Sequence, residues 1–175
     1  MCGIIGIVGK DQVAERLVDG LRRMEYRGYD SAGVCTLHDG QLVRRRAPGK
    51  LSNLVIELER DPAPGTTGIA HTRWATHGAP TAANAHPHAT GELALVHNGI
   101  IENFRQLRDS LAAKGRKFES DTDSEVVAHL ISEAVEAGAS PEDAVKAALP
   151  QLRGAFALAI AFRSHPDMLL SLIHI

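Results

Sequence analysis

Apolar residues recur along this chain with two periods, and each period predicts an element. Residues 2–8, "CGIIGIV", are a continuous Ile- and Val-rich run bounded by glycines, which predicts a strand buried on both faces. Val13, Leu17, Leu21 and Met24 then fall at helical spacing and predict an amphipathic helix ending near Arg27-Gly28. "AGVCTLHDGQLVRRR" reads as a hairpin turning at Asp39-Gly40, and "LSNLVIELER" as a helix. "GTTGIAHTRWAT" starts as a strand and runs into a loop over residues 76–91 that is rich in Gly, Pro, Asn and His. "ELALVHNG" is a strand stopping at Asn98-Gly99, and the helix after it carries Phe104, Leu107 and Leu111 on one face. Thr122-Asp123-Ser124-Glu125 has the form of a capping box before Val126, Val127, Leu130 and Ile131. Ser140-Pro141 opens a further helix, and "GAFALAIAF" is a strongly apolar strand.

Hairpins and meanders outweigh strict β-α-β alternation in this order. The expected class is therefore α+β, with helices stacked on antiparallel sheet layers. A length of 175 residues fits one domain or part of one, and 44% hydrophobic with 23% charged residues fits a globular core. The net charge of −2 offers nothing to nucleic acid or an acidic membrane surface. The basic run Arg44-Arg45-Arg46 reads as a solvated strand face. No apolar run approaches the ~20 residues that span a bilayer, and the N-terminus lacks the order of a signal peptide. Cys2 and Cys35 stand outside any CxxC spacing, which points away from a disulfide framework or zinc knuckle. Cys35 reads as a small buried hydrophobe. The expected location is the cytoplasm.

Cys2 carries the sharpest chemistry. Removal of Met1 would leave a thiol and a free α-amine on one residue. The amine titrates at about 7.7–8.0 and the thiol at about 8.5, so a nucleophile and its base come together without a histidine. That pairing suits acyl transfer from an amide; a buried structural thiol is the plainer reading. Amide cleavage needs oxyanion donors, and Asn98 with Gly99 at a strand end can supply a side-chain and a backbone N–H. The same dipeptide also reads as an ordinary turn. Arg73 could fork onto a substrate carboxylate, and Asp123 could pair with an ammonium or simply complement a helix dipole. The histidines at 71, 77, 86, 88 and 97 form no HExxH or spaced Cys/His set, so hydrogen-bonding roles are favoured and neither metal nor cofactor is expected.

"MCGIIGIVG", "LRRMEYRGYDSAG", "HTRWATHG", "AHPH", "VHNGIIENF" and "SDTDSEVVAHLI" occur in this order and at fitting separations. Together they resemble the glutaminase domain of the glutamine–fructose-6-phosphate aminotransferase family, over residues 2 to about 165. The resemblance implies a four-layer α/β/β/α N-terminal-nucleophile sandwich. It implies Cys2 as nucleophile with its amine as base, Asn98 and Gly99 as oxyanion hole, and Arg73 and Asp123 as clamps on L-glutamine. Thr76 and His77 would line the same pocket, and Trp74 with the residues to about Pro80 would close over it as a lid. Other class II amidotransferases, such as the amidophosphoribosyltransferases, share the Cys-Gly-Ile opening and the His-Asn-Gly. A glutamine-binding module without catalysis is the third reading.

The family's glutaminase domain extends further and is followed by sugar-isomerase domains, which bind the sugar phosphate. The expectation is an incomplete domain over residues 2–169, with those domains absent and with homo-oligomerisation of the parent through them. Residues 170–175, "LSLIHI", also match the translation of a common sequencing-library adaptor, so a foreign tail is expected there.

Overall fold

The computed structural model describes residues 2–174. Met1, on which the processing reading bears, and Ile175, the last residue of the suspected tail, lie outside the described residues. One sheet joins β1 (Gly3–Val8), β2 (Ser31–His38), β3 (Gln41–Pro48) and β4 (Thr67–Arg73) in the order β1-β4-β2-β3. The second joins β5 (His88–Ala89), β6 (Leu93–Gly99), β7 (Phe156–Phe162) and β8 (Leu169–His174) in sequence order. Every pairing in both sheets is antiparallel. Helices α1 (Ala14–Arg22) and α2 (Leu51–Arg60) belong to the first half of the chain, and α3 (Phe104–Ala113), α4 (Glu125–Glu136) and α5 (Pro141–Ala148) to the second.

Three apolar clusters define four layers. Leu17, Leu21, Leu51 and Leu54 from α1 and α2 pack on Val34 and Ala70 of the first sheet. Cys35, Leu37 and Ile69 meet Ala94, Val96, Ala159 and Ala161 between the two sheets. Val126, Val127, Ile131 and Leu111 cover Leu95, Leu158, Ile160 and Phe162 on the far face of the second sheet. Small alanines on the inner face let the sheets approach closely, while leucine, isoleucine and phenylalanine face the helices. This is the α/β/β/α sandwich, and it fits the α+β expectation. Among the described residues no helix is long and apolar enough to cross a membrane.

Three local expectations change. β1 is not buried on both faces, because it is an edge strand: its exposure alternates, and Val8 is 47% exposed. The run is apolar because Ile5 and Ile7 face the helix layer while Ile4 faces the second sheet. The arginine run is not a solvated face either. Arg44 pairs with Glu119 at 3.0 Å, and Arg45 reaches the Asp61 carbonyl at 2.7 Å. Arg46 donates to the carbonyls of Ala83 at 2.9 Å and Ala85 at 3.1 Å, which holds the histidine-rich loop against the sheet. Finally, α4 starts where the sequence places it but without the capping box. Glu125 turns back to accept from the backbone N–H groups of Glu119 and Ser120, both at 2.8 Å, and Thr122 Oγ1 bonds His88 Nε2. α5 opens at Pro141 as expected, and there Ser140 Oγ caps the helix by accepting from the Asp143 N–H at 3.2 Å.

Gly33 of β2 lets the His86 backbone lie directly on the sheet. A Cβ there would collide with the His86 carbonyl oxygen and stand 2.8 Å from that of Arg45. Gly33→Ala should therefore lower the urea midpoint by the equivalent of about 1–3 kcal/mol. An unchanged midpoint would show that the loop is not held by this approach.

Candidate active site

The pairing of β1 with β4 sets Gly3 opposite Thr72, and the Gly3 N–H donates to Thr72 Oγ1 at 3.1 Å. Continued by one residue, that register sets Cys2 opposite Arg73, and the Cys2 thiol reaches on to Trp74. The Trp74 N–H donates to Cys2 Sγ at 3.1 Å, and Sγ lies 3.7 Å from the Trp74 carbonyl oxygen. The thiol is free and only partly buried, in contrast with Cys35, whose thiol burial pushes up to about 12. A backbone-anchored, accessible sulfur is suited to attack an electrophilic carbon; a sealed one is not.

Cys2 opens into a cavity of about 540 Å³. Arg73, Trp74, Thr76 and His77 line it from the end of β4 and the loop beyond, Gly99 from the end of β6, and Asp123 from the turn before α4. Seven of the eight residues singled out in the sequence thus share one cavity wall. The eighth, Asn98, stands behind it, with Nδ2 donating to the Cys2 carbonyl at 3.4 Å and Oδ1 2.8 Å from His71 Nε2.

Specific contacts hold several of the wall residues. Arg73 is 3% exposed, and its guanidinium donates to the carbonyls of His77, Gly78 and Ala79. These contacts use three of the guanidinium's five N–H groups. Asp123 Oδ2 accepts from the Ile101 N–H at 2.9 Å and lies 4.0 Å from His77 Nδ1. Gly99 has φ +126°, and a Cβ there would collide with the Ala155 carbonyl. No side chain can therefore cover its backbone. Trp74 is 55% exposed at the rim, where its ring rests on Gly28. The site accordingly sets a cation and an anion around one thiol, an arrangement that fits a substrate charged with both signs.

Sequence reasoning missed a second group. Asp30 accepts from the Ala75 N–H, and its Oδ1 lies 3.6 Å from Arg73 Nη1, so it braces both the guanidinium and the start of the Trp74 loop. It sits inside the quoted "EYRGYDSAG". Ser124 Oγ is shared by His86 Nε2 at 2.9 Å and His97 Nδ1 at 2.8 Å, and all three line the cavity. Burial pushes His71 and His88 down to about 3, and also holds His86 and His97 below the ordinary histidine value. These imidazoles are neutral hydrogen-bonding groups near pH 7. Among the described residues no three His, Cys, Asp or Glu side chains are grouped to hold a metal ion.

The two sheets and the helix layers define the fold of the N-terminal-nucleophile sandwich. A family model described as a glutamine amidotransferase domain matches residues 71–172, and the chain belongs to that family. It is 65% identical over 170 residues to a protein of Zymomonas mobilis named glutamine–fructose-6-phosphate aminotransferase [isomerizing], covering 97% of this chain and 28% of that one. A protein of the same name from Brucella suis is 61% identical over 170 residues, with the same coverage. The chain thus spans 28% of the length of these relatives. Among solved structures, the glutamine phosphoribosylpyrophosphate amidotransferase of B. subtilis superposes with a TM-score of 0.79 at 29% identity, covering 93% of this chain and 35% of that one. A class-II glutamine aminotransferase domain protein from Silicibacter pomeroyi, at 18% identity and a TM-score of 0.65, shares the fold over 99% of this chain and 77% of that one.

The buried histidines fix the sign of the pH dependence of stability. Their folded-state values lie below the ordinary 6.5, so between the two values the unfolded chain binds more protons. Stability is greatest above pH 6.5 and falls as the pH drops toward 3. The slope is up to about 1.4 kcal/mol per pH unit for each histidine. Urea midpoints measured at pH 7.5 and pH 5 should differ clearly; equal midpoints would show that these imidazoles are not buried neutral.

Proposed function

We propose that this chain is the glutamine-hydrolysing part of a protein that converts fructose 6-phosphate and L-glutamine to glucosamine 6-phosphate and L-glutamate. The observation that carries the reading is the placement of Cys2 Sγ against the Trp74 N–H, in one cavity with Arg73, Gly99 and Asp123. The 65% identity to an aminotransferase of that name, against 29% to the phosphoribosylpyrophosphate amidotransferase, favours the sugar-phosphate branch.

In this reading, removal of Met1 frees the Cys2 α-amine, which takes the thiol proton as Sγ attacks the glutamine side-chain carbonyl carbon. The carbonyl oxygen becomes an oxyanion, and the Gly99 N–H and Asn98 Nδ2 stabilise it. Collapse breaks the C–N bond, the amine returns its proton to the leaving group, and ammonia departs from a thioester. Water, activated by the same amine, then releases glutamate and restores the thiol. Arg73 takes the α-carboxylate with the N–H groups not engaged by the loop, and Asp123 takes the α-ammonium. Thr76 and His77 complete the pocket, and Trp74 moves as part of a lid that excludes water. The sugar phosphate binds in domains beyond this chain, which also carry the contacts of a homo-oligomer, and the protein works in the cytoplasm without nucleic acid, metal or cofactor.

Cys2→Ala should reduce ammonia release from glutamine to background in the full-length gene product, whereas Cys35→Ala should retain it. Intact mass should show that Met1 is gone. Turnover in Cys2→Ala, or an active protein that keeps Met1, would overturn the mechanism. Asp30→Asn should raise KM for glutamine about tenfold, equivalent to about 1.4 kcal/mol of binding, with little change in kcat. An unchanged KM would show that Asp30 does not brace Arg73.

A further inference from the structure

The two halves of the site stand on different sheets. Cys2 and Arg73 belong to the first, Asn98 and Gly99 to the second. Oxyanion stabilisation requires donors within about 3 Å of the reacting oxygen, so the sheets must be aligned with each other as well as folded. The carboxamide of Asn98 adds a difficulty of its own. Its two ends have nearly the same shape, and either can face Cys2 on steric grounds. With Nδ2 forward it donates to an oxyanion; with Oδ1 forward it repels one.

The contact that distinguishes these states comes from β4. His71 lies on a strand paired on both sides, opposite Ile4 and Gly33, and is 1% exposed. Its Nε2 is 2.8 Å from Asn98 Oδ1, across the gap between the sheets. Its other face packs against the His86 ring, with centroids 4.3 Å apart. We propose that His71 is a positioning residue for glutamine hydrolysis: its Nε2–H holds Asn98 Oδ1 and so keeps the amide N–H groups turned toward Cys2.

The proton assignment follows from chemistry. An amide oxygen only accepts, so Nε2 must donate. Burial keeps the ring neutral, so it carries a single N–H, and the contact with Asn98 is the one that engages Nε2. The observed contact from Asn98 Nδ2 to the Cys2 carbonyl, at 3.4 Å, is the orientation this bond enforces. His71 lines no part of the cavity, so it acts on the reaction through Asn98 and not by touching substrate.

This inference rests on the glutaminase reading, and one experiment separates the two. Steady-state glutamine hydrolysis is measured on the full-length gene product. A wild-type protein that releases no ammonia overturns the functional reading and this proposal together, before any variant is made. With an active wild type, His71→Leu should lower kcat about 10²-fold, the scale of losing one oxyanion donor, with KM within about threefold. His71→Gln, whose amide can place an N–H where Nε2 stands, should recover at least about tenfold of that loss; His71→Asn, which reaches only the Nδ1 position, should not. In an Asn98→Ala background, His71→Leu should cost nothing further. Equal losses in both backgrounds, a loss confined to KM, or equal rates for His71→Gln and His71→Asn would overturn the proposal. The last comparison involves two polar variants, and it decides the matter even where His71→Leu does not fold.

Discussion

The antiparallel ladder between β1 and β4 fixes everything else at the site. Gly3 pairs with Thr72, so the residue before the strand falls opposite Arg73 at its partner's end, and from there the Cys2 thiol meets the backbone N–H of Trp74. Chain termini ordinarily fray unless something ties them down. Here the ladder runs the full length of β1, and Ile5 and Ile7 pack against the helix layer while Ile4 packs toward the other sheet. Six paired residues thus hold the strand that follows Cys2.

The remaining groups come to the thiol because the two sheets stack through small residues. Alanines on β6 and β7 face Cys35, Leu37 and Ile69, and the narrow gap they leave lets His71 reach Asn98. The interior at this end is polar: four imidazoles, two hydroxyls and a carboxylate lie within one buried region. Each such group is costly to bury without a partner, and here each of the four imidazoles has one ring nitrogen in a hydrogen bond. The loop that carries His86 and His88 has little apolar content of its own. It is held from outside by Arg46 and admitted from below by Gly33.

Much of this was legible in the chain. The strands and helices follow their apolar periods, the Asp39-Gly40 turn uses the expected chemistry, and Ser140-Pro141 opens its helix as the sequence places it. What the chain did not disclose depends on partners distant in sequence. Glu125 has the right spacing to cap its own helix, yet it bonds the Glu119–Ser120 backbone, because that loop arrives unsatisfied at the same place. The three arginines look like a solvated face until Glu119, Asp61 and the Ala83–Ala85 carbonyls fold over them. Asp30 and His71 were in plain sight within the recurrent motifs, but their partners lie 43 and 27 positions away, at Arg73 and Asn98. Local pattern reports which face a residue presents; only the assembled sheets report what it meets.

The central claim is chemical: the sulfur of the leading residue becomes acylated by its substrate. The most direct measurement is an acid quench of the full-length gene product during turnover of glutamine, followed by peptide mass analysis. A glutamyl thioester on a peptide that begins at Cys2 is the expected result. Turnover without any acylated cysteine, or with the acyl group on Cys35, would contradict the account.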